Sequence, residues 1–162
     1  MNTAPVSPEA ATVAQARPKL RRILAPTDLS PSSEKAINYA VALARPQGAK
    51  ITLLHVCKAQ VQGTEFAYLP SDEKALEEAA TDKLHSIALR RIAPDLLGDV
   101  MLRFGMPVDE ILHVAEEMDA DMIVVNTHGY TGFKHVLLGS VAERIVRHAR
   151  CPVLVVHKDQ ET

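Results

Sequence analysis

Three glycines and a serine carry the residue types that anion binding needs. Gly129 and Gly132 stand in a loop, and Gly139 and Ser140 open a helix whose apolar positions Val141, Ile145, Val146 and Ala149 recur at helical spacing. Glycine lets backbone come close to a ligand, and the first N–H groups of a helix lack internal partners and attract anions. In front of the loop lies a short apolar run, residues 122–125, of the kind buried on both faces of a parallel sheet, and it stops at Asn126. Strand, glycine loop and helix start together compose a phosphate cradle. The same residues also permit a reading without any ligand. Ser140 with Glu143 spells an S-x-x-E capping box, and loop glycines serve as turn residues.

The elements that must position these residues read as alternating strands and helices. Residues 22–26 form a first strand closed by Pro26, and Thr27, Asp28 and Leu29 its exit loop. Ser30 caps the next helix with Pro31 at its first position, and Ala36, Ile37, Ala40, Leu43 and Ala44 form one face. Pro46 and Gly48 stop it. Residues 51–56 make the second strand, followed by a long polar connection over residues 58–70. Ser71 starts the second helix, with Asp72 and Glu73 at its positive end, and Pro94 closes it. A third strand over residues 100–104, a Gly105 turn, a third helix over 108–118, the central strand, a fourth helix over 139–148 and a last strand over 151–157 complete the chain. Residues 1–20 read as a disordered tail rich in Ala, Pro, Thr and Ser, and residues 21–158 as one domain.

That alternation predicts an α/β fold with a parallel sheet covered on both faces and right-handed crossovers. Ligands of such folds bind beyond the carboxyl ends of strands, where the winding reverses. The loop after the first strand carries Asp28, and the loop after the fourth carries Gly129 to Ser140. If the first and fourth strands are neighbours, both loops face one crevice. Asp28 also has a reading as a solvated loop acid or helix cap.

Composition removes several classes of function. The chain has 162 residues, 47% hydrophobic and 23% charged, as expected of one globular domain with a sizeable core. A net charge of −2 and 4% aromatic residues give nucleic acid no basic face and no stacking platform. Two cysteines, Cys57 and Cys151, without metal spacing suit a reducing cytosol, and no apolar run is long enough for a membrane span. His55, His128 and His135 have no metal-ligand spacing, and His128 is expected to fix its loop by hydrogen bonds. No G-x-S-x-G elbow and no P-loop is present, so little is available to activate water.

Taken together, ILAPTDLS (23–30), LHV (54–56), GMPVDEI (105–111), THG (127–129), LLGSVAER (137–144) and RCPVLVV (150–156) resemble the universal stress protein family in order and spacing. The resemblance implies a doubly wound five-stranded parallel sheet in the order 3-2-1-4-5 with four helices, of the adenine nucleotide alpha hydrolase-like type. It implies homodimers through the last strand, Val153 to Val156. It also implies an ATP site in which Pro26 and Thr27 line the base pocket, Asp28 faces adenine or ribose, Val56 offers backbone groups to adenine, and Met106 borders it. Gly129, Gly139, Ser140 and Val141 would hold phosphates, with Mg2+ near Asp28 or Ser140. The family's ATP-binding branch carries Gly, two residues, Gly, nine residues, then Gly and Ser or Thr. Gly129, Gly139 and Ser140 match, but Asn126 replaces the first glycine. The expected function is a cytoplasmic stress-response module that binds ATP or a related adenine nucleotide, with slow hydrolysis at most. The alternative is a dimeric interaction protein that binds no nucleotide.

Overall fold

The structure is a computed structural model and describes residues 19–58, 70–127 and 139–157, with residues 70–73 by backbone alone. The strands are β1 (Arg22–Pro26), β2 (Lys50–Cys57), β3 (Leu97–Phe104), β4 (Met122–Asn126) and β5 (Val153–Val156). The helices are α1 (Glu34–Ala44), α2 (Pro70–Arg91), α3 (Pro107–Glu117) and α4 (Ser140–His148). All strand pairs are parallel, and the sheet order is β3-β2-β1-β4-β5, as the resemblance implied. The winding therefore runs outward from β1 through β2 to β3, then returns past β1 to β4 and β5.

Period-2 alternation divides the core between the two faces of the sheet. Ile23, Ala25, Ile51, Leu53 and Val124 pack with Ala36, Ile37 and Ala40 of α1 and Leu84, Ile87 and Ala88 of α2. Leu24, Leu54, Ile123 and Val125 pack with Val108, Ile111 and Val114 of α3 and Ala142 and Ile145 of α4. β1 is fully enclosed: Ile23, Leu24 and Ala25 have no exposed surface, because a central strand in a doubly wound sheet has helices above and below.

Three local expectations need correction. Helix α1 starts at Glu34 with Ser33 at its cap, one turn after the expected Ser30 cap and Pro31. Ser30 Oγ still accepts the Ser33 N–H, at 3.3 Å, but over a turn that precedes the helix, while its proton goes to Asp28. β3 begins at Leu97, earlier than expected, with Gly98 and Asp99 exposed at the sheet edge. β5 is confined to Val153–Val156, shorter than the run of 151–157. Of the expected tail over residues 1–20 only Lys19 and Leu20 are described, with Leu20 N–H donating to Gln47 Oε1 at 3.0 Å, and most of the 58–70 connection lies outside the described residues.

The turn between β3 and α3 depends on one backbone conformation. Gly105 has φ of +151°, and a Cβ there would lie 2.9 Å from Oε1 of Glu110. Gly105→Ala is expected to destabilise the fold by about 1–3 kcal/mol, through left-handed backbone strain and displacement of Glu110. Urea unfolding will show this as a lower midpoint at unchanged slope.

Candidate functional site

At the carboxyl ends of the strands, β1 stops before β2 does. Pro26 is the last β1 residue and pairs with Leu54, while β2 continues to Cys57. The Thr27 N–H donates to the Leu54 carbonyl at 2.8 Å, and the Cys57 carbonyl accepts from Gly105 N–H on the opposite side at 3.0 Å. In a parallel strand alternate residues direct their N–H and C=O to the same side. Val56 therefore turns both groups toward the space that β1 has vacated, a donor and an acceptor side by side.

The loop leaving β1 is held by hydroxyl groups whose proton directions can be assigned. Ser33 Oγ donates to the Ser30 carbonyl at 2.8 Å, so its 2.7 Å contact with Thr27 Oγ1 must be donated by Thr27. Thr27 Oγ1 in turn accepts Leu29 N–H at 3.0 Å. Ser30 donates both its N–H, at 3.0 Å, and its hydroxyl, at 2.5 Å, to Oδ1 of Asp28. Its 2.8 Å contact with Ser32 is then donated by Ser32. Between them sits Leu29, buried and at φ of 62°, a left-handed conformation that a leucine adopts only where its surroundings force it. The other oxygen of Asp28, Oδ2, is buried with no hydrogen-bond partner. The Asp28 wall thus presents a carboxylate acceptor whose hydroxyl neighbours have already committed their protons.

Helix α4 supplies the opposite chemistry. Gly139 is its cap, and the Gly139 N–H donates to the Thr127 carbonyl at 2.8 Å. The first bond along the helix runs from Glu143 N–H to the Gly139 carbonyl at 2.9 Å. The amides of Ser140, Val141 and Ala142 precede that bond and open the helix at the positive end of its dipole. Ser140 is the first helical residue and not the cap, so the S-x-x-E capping-box register is off by one. Ser140 is exposed. The Gly139 amide, expected to touch phosphate, is instead spent on Thr127 and ties the ends of β4 and α4 together.

These walls enclose one cavity of about 530 Å3. Of the expected residues it is lined by Pro26, Thr27, Asp28, Val56, Asn126, Gly139, Ser140 and Val141. Met106 caps α3, is 61% exposed and stands outside the lining, although its neighbour Pro107 is inside. His128, Gly129 and Gly132 lie outside the described residues. Sequence reasoning missed Ser33, Lys58, Thr127, Pro107 and Ala142 as lining residues. Lys58 directly follows β2, so its position past a strand's carboxyl end was a usable signal. His55, set aside as a metal ligand, contacts the Thr27 carbonyl through Nδ1 at 2.8 Å, and since a carbonyl only accepts, Nδ1 carries the proton. Burial, with Glu77 as a smaller cause, pushes the Cys57 thiol in this cavity above its ordinary pKa, so it is a poor nucleophile near neutrality. A second cavity of about 330 Å3 lies at the opposite end of the sheet, among Arg22, Asp121 and Cys151. Among the described residues no three His, Cys, Asp or Glu side chains converge to hold a metal, and no helix is long and apolar enough to cross a membrane.

Comparison with known proteins fits this architecture. The model of the universal stress protein family matches residues 19–157. The chain belongs to the universal stress protein family. Among curated members it is 34% identical over 150 residues to universal stress protein MJ0531 of Methanocaldococcus jannaschii, covering 87% of this chain and 84% of that protein. It is 31% identical over 144 residues to universal stress protein YxiE of Bacillus subtilis, covering 83% and 97%. Among solved structures it is similar to protein MJ0577 of Methanocaldococcus jannaschii, with a TM-score of 0.77 and 28% identity over 88% of this chain and 99% of that one. It is also similar to a universal stress protein solved in complex with cAMP, with a TM-score of 0.60 and 27% identity over 86% and 98%. The family's sheet places the β1 and β4 loops side by side, and this member puts Asp28 and the start of α4 across one cavity.

Proposed function

We propose that this universal stress protein binds ATP or a related adenine nucleotide in the cavity between Asp28 and α4, and that occupancy is its signal in the cytoplasmic stress response. The observation that carries the reading is chemical polarity across one hollow. One wall holds the Asp28 carboxylate, an acceptor, and the other offers the opening amides of a helix. A nucleotide has the matching ends: a base and sugar that bring donors, and phosphates that need them. Val56, with its adjacent N–H and C=O, reads the base edge. The relative solved with cAMP supports an adenine ligand. Mg2+ accompanies the nucleotide's own phosphate oxygens, and hydrolysis is slow at most. A second copy pairs through β5, a sheet edge among the described strands. Equilibrium dialysis with labelled ATP at up to millimolar concentration tests the proposal. Saturable one-site binding is expected, and its absence would reject the reading.

A second reading, a dimeric interaction protein without a ligand, is favoured by one feature. Asn126 stands where the ATP-binding pattern has glycine, and it is buried in the cavity wall. Asn126→Gly separates the two. The nucleotide reading expects equal affinity in both forms, because Asn126 ends β4 without positive φ, a backbone that needs no glycine. Affinity gained only by the glycine variant would establish the second reading.

A further inference from the structure

We propose that Ser30 is a positioning residue of the nucleotide site. By donating twice to Oδ1 of Asp28 it fixes the Asp28 carboxylate in the cavity lining, and so makes the site prefer a nucleoside that brings a hydrogen-bond donor to that wall. The inference rests on the nucleotide reading for its ligand and on the unliganded geometry for its mechanism.

Asp28 is only partly buried, so its carboxylate has a route to water, yet Oδ2 is held in the protein without a partner. Something must offset the cost of that burial. Ser30 does so from the other side, with N–H and hydroxyl on the same oxygen at 3.0 and 2.5 Å. Two donors converging on Oδ1 fix the carboxylate plane, and Oδ2 is left facing away from them. Ser30 is itself only 8% exposed and receives the Ser32 hydroxyl at 2.8 Å, so the donating proton has no alternative direction. The chain Ser32 to Ser30 to Asp28 is polarised toward the cavity. None of its hydroxyl protons remains for a ligand, and the wall can accept but not donate. Phosphate is therefore turned away from this wall and toward α4, while a ribose hydroxyl or the exocyclic amine of the base is welcomed. The Ser30 carbonyl accepts Ser33 N–H and Ser33 Oγ, and both bonds survive removal of the side chain, which forfeits only the longer 3.3 Å share of Ser33 N–H on Ser30 Oγ.

Ligand-free crystal structures of wild type, Ser30→Ala, Ser30→Thr and Ser32→Ala, with nucleotide binding to each, test the proposal. Binding is compared for ATP, 2′-deoxy-ATP and purine riboside triphosphate, which lacks the amine, so that the two possible donors are told apart. In Ser30→Ala the Asp28 carboxylate should leave the wall and ATP affinity should fall about 10-fold. The preference for ATP over whichever analogue lacks the matching donor should shrink to within about twofold, an effect that a merely structural role would not produce. Ser30→Thr should restore position and preference, and Ser32→Ala should weaken both partially at unchanged Tm. Asp28 unmoved in Ser30→Ala, or full discrimination retained there, would overturn the proposal. Wild type without saturable binding would sink the nucleotide reading instead, and the ligand-free structures would still decide whether Ser30 positions Asp28.

Discussion

Replacing Ser140 with proline should weaken ATP binding by about 10- to 100-fold while leaving Tm nearly unchanged, because it deletes a phosphate donor without touching the core. Ser140 is the first residue of α4, the position where proline is best tolerated since the N–H there bonds nothing within the helix. The residue before a proline must be extended, and Gly139 already has φ of −66° and ψ of 153°. The substitution therefore asks nothing new of the backbone. It removes one of three amides that open the helix, and a bond from an amide to a charged phosphate contributes roughly 1.5–3 kcal/mol. Ser140→Ala separates hydroxyl from amide: it keeps the N–H and should retain most of the affinity. Isothermal titration of the two variants beside wild type measures both effects. Equal affinity of Ser140→Pro and wild type would remove α4 from the site.

Asp28→Asn should weaken nucleotide binding to a similar degree, about 10-fold or more, by reversing the character of the opposite wall. The two donors of Ser30 require an acceptor where Oδ1 now stands, so the asparagine carbonyl oxygen takes that place. The amide nitrogen then replaces Oδ2, and the carboxylate of the lining becomes a neutral amide that also donates. A ligand donor that met a carboxylate acceptor would meet another donor. Stability should stay within about 0.5 kcal/mol, because the Ser30 bonds persist and one unpartnered polar atom takes the place of another. A large affinity loss with an unchanged urea midpoint confirms the polarity of this wall. Binding unchanged in Asp28→Asn would place the base and sugar elsewhere.

Much of this architecture was legible in the residues. The apolar runs at 23–25 and 122–125 are short and unbroken, the signature of strands buried on both faces, and both lie in the sheet centre. The facing of Asp28 and Gly139–Val141 followed from strand order, which the family resemblance supplied and periodicity alone could not. Hydroxyl networks were not legible. Ser30 and Ser140 each precede an apolar periodic segment and look like caps, but capping is a competition between local partners. Asp28 takes the Ser30 proton while Ser30 Oγ accepts Ser33 N–H ahead of the helix, and the Thr127 carbonyl fixes Gly139 so that the helix starts one residue earlier than a Ser140 cap would place it. The overhang of β2 past β1 was equally hidden, because it depends on register and not on residue type, and it is what turns Val56 toward the cavity.

Titration of isotopically labelled protein with ATP, followed by backbone amide spectra, tests most directly whether Asp28 and α4 share one ligand. The amides of Val56 and Ser30 on one wall and of Ser140, Val141 and Ala142 on the other should shift together with a single midpoint. Inorganic phosphate should move the α4 amides alone. Shifts confined to one wall at saturating ATP, or two walls titrating with separate midpoints, would contradict a common nucleotide site.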